Sequence, residues 1–143
     1  MIKIKLVREI KGKDLVKEFE KIYGKIEDLK KIFDEGKGNM KLEMDLEDWE
    51  YFLENPEETN HQEITIYDEF PSFTMTDLQI LDLIKNKKPN SISELAVMMN
   101  KDNGNITKQV NKLKDKGLIK LKEGTVNNIK IPVFNYDKIE IAI

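Results

Sequence analysis

The chain has 143 residues, of which 36% are charged and 39% hydrophobic, and it contains no cysteine. That length suits one domain, or two small pieces that share a core. The missing cysteine excludes disulfides, thiol nucleophiles and thiolate metal sites. No apolar run reaches the roughly 20 residues of a membrane helix, and the N-terminus alternates apolar and charged residues, unlike a signal peptide. We therefore expect a cytoplasmic protein without a membrane partner.

The formal net charge of -3 is distributed unevenly along the chain. Residues 1–71 carry 12 basic and 19 acidic side chains, a net charge of -7, whereas residues 72–143 carry 12 basic and 8 acidic ones, a net charge of +4. Such asymmetry indicates that one half meets an anionic partner. We therefore predict an acidic region over 1–71 and a basic domain over 72–143. Arg8 is the only arginine, so lysine and uncharged polar side chains must serve the basic half.

The acidic half is predicted to begin with a half-buried strand over 2–7, followed by one long helix over 14–34. The helix carries an apolar seam with coiled-coil spacing, formed by Leu15, Phe19, Ile22, Ile26, Leu29 and Phe33. Two interpretations are open. Either the helix packs within its own subunit, or the seam pairs with a second copy and makes a homodimer.

A second, shorter helix follows in the acidic half. Asp45 is predicted to cap it, Trp49 and Phe52 to give it an apolar face, and Pro56 to end it. A polar loop over 57–62 and a strand over 63–67 complete this half.

Capping signals predict two helices at the start of the basic half. Thr76 with Gln79, and Ser91 with Glu94, have the spacing of capping boxes. Pro89 separates the two helices, because proline cannot continue a helix.

A third helix and a hairpin follow in the sequence. Asp102 is the expected cap, and Ile106, Val110 and Leu113 recur at the spacing of one buried helix face, until Gly117 ends the helix. Strands over 118–121 and 129–134 flank a turn, and the last residues, 139–143, alternate like the opening strand, with which they are predicted to pair. The fold class is therefore α+β, mainly α, with the element order of a winged helix-turn-helix.

Two stretches of the basic half are similar to known regulators. Ser91-Ile92-Ser93-Glu94-Leu95-Ala96, with Gly117-Leu118-Ile119 after the third helix, resembles the MarR/ArsR-like winged-helix transcriptional regulators. The tail over 131–141 resembles a family of predicted archaeal and bacterial DNA-binding regulators, some of which are described as antitoxins. The resemblance covers about residues 74–143, although this chain has Asn103-Gly104-Asn105 where those regulators have a more basic stretch. It implies that the third helix is a DNA recognition helix.

The outer face of the third helix is the candidate surface for reading DNA. Asparagine can pair with adenine through two hydrogen bonds, lysine can reach phosphate or guanine, and a glycine lets the helix N-terminus approach a phosphate. The candidates are Asn103, Gly104, Asn105, Thr107, Lys108, Asn111 and Lys112. The competing interpretations are that these residues only solvate an outer helix face, or that the domain binds protein.

The hairpin and the second helix supply the expected backbone contacts. Wing side chains usually touch phosphates or the minor groove without reading sequence. The wing candidates are Lys122, Thr125, Asn127, Asn128 and Lys130. Ser91 and Ser93 are candidate phosphate donors, although Ser91 is also the expected helix cap.

No catalytic or metal-binding constellation is evident. Gly36-Lys37-Gly38-Asn39 lacks the spacing of a nucleotide-binding loop, and His61 lies in an acidic loop that is most simply solvated. We therefore expect no enzyme activity, no cofactor and no metal. The sequence favours a sequence-specific transcriptional regulator that binds double-stranded DNA as a dimer and represses. The alternative is an antitoxin-like module whose acidic half binds a basic partner protein such as a toxin.

Overall fold

The structure, a computed structural model, describes residues 1–69, 72–126 and 128–143. Within these residues six helices and five strands form an α+β fold that is roughly half helical. In chain order they are β1 (Ile2–Lys11), α1 (Gly12–Tyr23), α2 (Ile26–Asp34), α3 (Met40–Glu54), β2 (Thr59–Asp68), α4 (Met75–Lys87), α5 (Ile92–Met99), α6 (Asn103–Asp115), β3 (Lys120–Glu123), β4 (Lys130–Val133) and β5 (Lys138–Ala142). None of the described helices has the length and apolar character needed to cross a membrane.

The chain divides into two compact units. Val7–Glu63 forms the first, which we call the acidic unit, and Met1–Leu6 together with Ile64–Ile143 forms the second, which we call the basic unit. The boundary falls within β1 and β2 and not at Ser72, yet the acidic unit still sums to -7 and the basic unit to +4. The acidic unit and the basic unit therefore differ in net charge in the same way as the two halves of the sequence.

The strands form two sheets. In the three-stranded sheet β1 lies between β2 and β5, so the first and last strands of the chain pair with each other, as the sequence predicted. The second sheet is an antiparallel hairpin of β3 and β4, in which Lys120 is opposite Val133 and Glu123 is opposite Lys130. Strand β3 has the predicted length but begins two residues later than predicted, and β4 is two residues shorter than predicted.

The core of the acidic unit is built around one tryptophan. Trp49 and Phe52 of α3 pack with Leu15 and Phe19 of α1 and with Leu29 of α2, and all five side chains are buried. The rings of Phe19 and Trp49 are stacked with their centroids 5.6 Å apart, which adds aromatic contact to the area that they bury. This core orders three short helices that would be only marginally stable alone.

The prediction of one long helix over 14–34 is wrong, because the chain forms α1 and α2 instead. Gly24 separates them with a φ of 85°, a backbone conformation that L-residues other than glycine seldom adopt. The break also divides the predicted seam. Leu15, Phe19 and Leu29 lie in the unit's own core, Ile26 and Phe33 pack partly against it, and Ile22 is 65% exposed. This packing agrees with the first of the two interpretations, in which the apolar seam packs within its own subunit.

The start of α3 was also predicted wrongly. The cap is Asn39, whose side-chain oxygen accepts a hydrogen bond from the backbone N–H of Leu42 at 2.9 Å, and the helix begins at Met40. Asp45, the predicted cap, lies one turn inside the helix and pairs with Lys41 at 3.2 Å. Asparagine is common both just after and just before helices, so the sequence alone does not identify Asn39 as this cap.

The three helices of the basic unit enclose a second core. Its members include Ile80 of α4, Leu95 of α5 and Ile106 of α6, all fully buried. Ile4 and Leu6 of β1 belong to the same core, although more than half of the chain separates them from α6. The helix order in this unit is the one that the sequence predicted, and the predicted inner face of α6 is buried, whereas Leu78 of α4 and Val97 of α5 are exposed.

The helix caps of the basic unit agree with the sequence in two of three cases. Ser91 caps α5 and Asp102 caps α6, each accepting from the backbone N–H three residues later. The first cap was assigned two residues too late, because Thr74 caps α4 in a reciprocal pair with Asp77. The carboxylate of Asp77 is buried, and this pair satisfies it.

Gly12 is a position where the acidic unit has no room for a side chain. A Cβ atom there would lie 2.5 Å from Cδ1 of Phe52 and 2.8 Å from the backbone oxygen of Asn55. We expect Gly12→Ala to lower the free energy of unfolding by about 1–3 kcal/mol, because overpacking displaces the core. Urea unfolding measures this, with Lys17→Ala on the exposed side of α1 as the control. Equal stability of the two variants would contradict the packing.

The position of Ile22 permits a test of the predicted dimer seam. This side chain lies on the predicted seam but is exposed in the chain, whereas Leu15, Phe19 and Leu29 are already enclosed. We expect Ile22→Asp to leave the molar mass in light scattering unchanged, because the seam is occupied within the subunit. Dissociation of a dimer by this variant would show that the helix surface pairs with a second copy.

Candidate nucleic-acid interface

Helix α6 has one buried and one solvent-facing side. Ile106, Val110 and Leu113 are buried in the basic unit, and this fixes the rotation of the helix about its axis. The side chains that were predicted to contact DNA lie outside that buried face, all of them exposed except the half-buried Thr107. They are Asn103, Gly104, Asn105, Thr107, Lys108, Asn111 and Lys112. These side chains are therefore accessible from outside the unit without any rearrangement of the core.

A hydrogen bond joins two of the predicted site residues across helices. The side-chain N–H₂ of Asn103 in α6 donates to the hydroxyl of Ser93 in α5 at 3.2 Å. One N–H of the amide is thereby used, while its second N–H and its oxygen remain for a base edge. The bond holds the amide in one orientation at the first turn of α6. The hydroxyl of Thr107 donates to the backbone oxygen of Asn103 at 2.8 Å, so its proton is also engaged within the helix.

The helix N-terminus is occupied by a carboxylate. The side chain of Asp102 accepts from the backbone N–H of Asn105 at 3.1 Å, and an ideal Cβ on Gly104 would lie 3.1 Å from the same oxygen. A phosphate at this end of α6 would meet that negative charge. The cap takes up one N–H group of the first turn, and its negative charge opposes the phosphate contact predicted at Gly104.

The hairpin distributes its charges differently from the sequence-based expectation. The ammonium of Lys130 forms an ion pair with the carboxylate of Glu123, the residue directly opposite it in the ladder. Lys130 is thus partly neutralised, whereas Lys122, Thr125 and Asn128 are exposed. Asn128 takes a left-handed conformation with φ of 67°, which asparagine tolerates in turns. The predicted contact Asn127 lies outside the described residues.

A cationic cleft beside the hairpin was not predicted from the sequence. It has a volume of about 480 Å³, and its lining includes Lys85 and Lys88 at the end of α4 together with Lys122 of β3. Lys85 is paired with Asp137 at 3.0 Å. The sequence does contain a basic run over 85–88 that could have indicated the cleft. Lysines at the end of a helix are, however, equally typical of an ordinary helix terminus. The cleft extends the positive surface of the basic unit beyond α6.

The lysines of α6 have different roles. Among the described residues neither Lys108 nor Lys112 forms an ion pair, so their ammonium groups are available to an anion. Lys116, just after the helix, donates to the backbone oxygen of Ser72 at 2.9 Å and lies 5.4 Å from the ring centre of Phe73. It therefore holds the segment that leads into α4.

His61 is placed differently from the sequence-based picture. Its ring nitrogens contact Glu9 of β1 and Glu63 of β2, the second at 2.8 Å. Within the described ranges, no group of three or more His, Cys, Asp or Glu side chains could hold a metal ion. The hydrogen bonds to Glu63 and Glu9 raise the pKa of His61, since both carboxylates favour the charged imidazolium.

Comparison with known proteins gives one similarity. A family model described as HVO_A0114 matches residues 72–141, from the segment before α4 into β5. The match lies within the basic unit and includes α6 and the hairpin, and the description names no activity. No curated protein and no solved structure matches the chain.

The His61 contacts predict a measurable pH dependence. We expect the imidazole pKa to lie above its ordinary value of about 6.5 and to fall in Glu63→Gln. The contact then contributes to stability below about pH 6.5 and is lost as the pH rises through the raised pKa of the folded protein. NMR titration of the only histidine measures this. Glu57→Gln is the control, because Glu57 pairs with Lys11 and Lys13. An equal shift in both variants would contradict the assignment.

Proposed function

We propose that the protein is a DNA-binding transcriptional regulator of the winged helix-turn-helix type. In this proposal α6 is the recognition helix, α5 supports it, and the β3–β4 hairpin is the wing. The order of two helices, a short connection, a third helix and a hairpin supports the proposal, as does the positive charge of the unit that contains them. The resemblance of the sequence to winged-helix regulators points the same way.

One observation carries the proposal: α6 exposes polar and cationic side chains opposite its buried face. Lys108 and Lys112 supply charge for phosphates, and Asn111 supplies an amide of the kind that pairs with adenine. Asn103, oriented by Ser93, adds a second amide at the end of the helix that enters the major groove in such domains.

The partner in this proposal is double-stranded DNA, and the protein acts in the cytoplasm as a repressor without a cofactor or a catalytic step. A dimer would set two α6 helices about 34 Å apart, in successive major grooves. The alternative, an antitoxin-like module that binds a basic partner through its acidic half, is compatible with DNA binding by the other unit.

Binding to DNA selected from a random pool tests the proposal. We expect the logarithm of the affinity to fall with the logarithm of the salt concentration, and Lys108→Ala and Lys112→Ala each to reduce the slope by about 0.9. Lys130→Ala should reduce it less, because Glu123 already pairs with this lysine. Asn111→Ala should relax sequence preference by about 1–3 kcal/mol at one base pair. Fluorescence anisotropy measures all four variants.

Two results would contradict the proposal. The first is the absence of any DNA binding at low salt. The second is an equal loss of affinity in Lys108→Ala and in Lys17→Ala, an exposed lysine of the acidic unit. The second result would show that binding follows total charge and does not involve α6.

A further inference from the structure

Helix α3 carries apolar side chains on two opposite faces. Trp49 and Phe52 face the core of the acidic unit. Met40, Met44 and Tyr51 are 77%, 59% and 49% exposed. Because successive residues of a helix are about 100° apart, spacings of four and seven residues bring these three side chains within about 40° of one another, opposite Trp49. They lie along one line of the helix, which we call the α3 stripe, and Glu47 and Asp48 flank this line between Met44 and Tyr51.

The α3 stripe has the dimensions of a helix-binding surface. Its eleven steps along the helix span about 16 Å, or three turns, at 1.5 Å per residue. The phenolic hydroxyl of Tyr51 is bonded to the carboxylate of Glu58, and its ring meets that of Phe52 edge-on, with centroids 5.0 Å apart. The tyrosine is therefore held in place, while the two methionines supply flexible side chains of the kind that adapt to a partner.

Uncompensated carboxylates follow one border of the stripe. By the same helical geometry Glu43, Glu47 and Glu54 lie side by side along it, and all three are exposed. Among the described residues none of the three forms an ion pair, whereas the nearby Asp45 and Glu50 are paired with Lys41 at 3.2 Å and Lys30 at 3.6 Å. The stripe thus has an apolar centre and a negative edge.

Asp48 borders the other side of the stripe. Partial burial raises the pKa of Asp48, and the negative charges of Asp45 and Glu47 raise it further. Carboxylates that repel one another in this way are stabilised by an incoming cation. The local charge is part of the net -7 of the acidic unit.

We propose that the α3 stripe is a docking site for a cationic amphipathic helix of a partner protein. Such a helix would place apolar side chains three and four residues apart on Met40, Met44 and Tyr51, and lysine or arginine beside the glutamates. A second copy of this surface does not fit, because a symmetric contact would set glutamates of like charge against each other. The proposal does not depend on DNA binding by the basic unit.

Calorimetric titration of the full chain with a synthetic peptide tests the proposal. The probe is a Leu/Lys amphipathic peptide of about 18 residues, long enough to form a helix, and its counterpart replaces every Lys by Glu. We expect the Leu/Lys peptide alone to bind, in a 1:1 complex. Met44→Lys should weaken binding at least about tenfold, because it removes an apolar anchor and adds a repelling charge. Glu47→Lys should weaken it as well.

Each variant has a matched control in the same unit. Ile22→Lys makes the change of Met44→Lys at another exposed apolar residue, and Glu20→Lys makes the change of Glu47→Lys on α1. Both controls should weaken binding by less than about threefold, as expected for residues outside an interface centre. Met40→Lys provides a second stripe variant if Met44→Lys fails to fold, as judged by circular dichroism.

Three outcomes would overturn the proposal. If the Leu/Lys peptide does not bind, the stripe is not a site for a cationic helix. If the controls weaken binding as much as the stripe variants, the peptide responds only to the net charge of the unit. If the free chain is a dimer and Met44→Lys dissociates it in light scattering, a second copy occupies the stripe.

Discussion

The burial of one face of α6 is the constraint on which the exposed chemistry of the basic unit depends. Only one rotation of the helix about its axis buries Ile106, Val110 and Leu113 at the same time. The core that encloses them includes side chains from α4, α5 and β1. Once that rotation is fixed, Lys108 and Asn111 must lie outside. The polar surface is therefore a result of core packing, and substitutions of the exposed residues can change binding without changing the fold.

Helical periodicity was enough to predict the order of the helices in the basic unit, and it failed where backbone conformation or a local hydrogen bond decided the structure. The apolar spacing of α6 was read correctly because burial alone sets it. The same spacing continues across Gly24, so periodicity predicted one helix where the left-handed glycine makes two. The caps at Asn39 and Thr74 were missed for a related reason, since several nearby side chains had the right chemistry and only geometry selects among them.

The candidate site was predictable in its residues but not in their interactions. Exposure follows from periodicity, so the outer residues of α6 could be named from the sequence. Two interactions depend on how the elements pack: the hydrogen bond from Asn103 to Ser93, and the ion pair of Lys130 with Glu123. The position of α5 beside α6 and the register of the hairpin bring these residues together, and the sequence alone reveals neither. The α3 stripe was missed because the sequence predicted that this helix begins after Asp45, which left Met40 and Met44 outside it.

The place where the two units divide has a consequence for how the chain is built. Because Met1–Leu6 belongs with Ile64–Ile143, the basic unit is discontinuous, and the acidic unit is an insertion that begins within β1 and ends within β2. A fragment that began at Ser72 would lack Ile4 and Leu6, two side chains of the core that supports α6. The entropy of closing a loop grows only slowly with its length, so the inserted segment can lengthen, shorten or be exchanged at small cost to its host. The architecture thus lets the inserted module diverge while the ends of the chain stay under the constraints of a shared core.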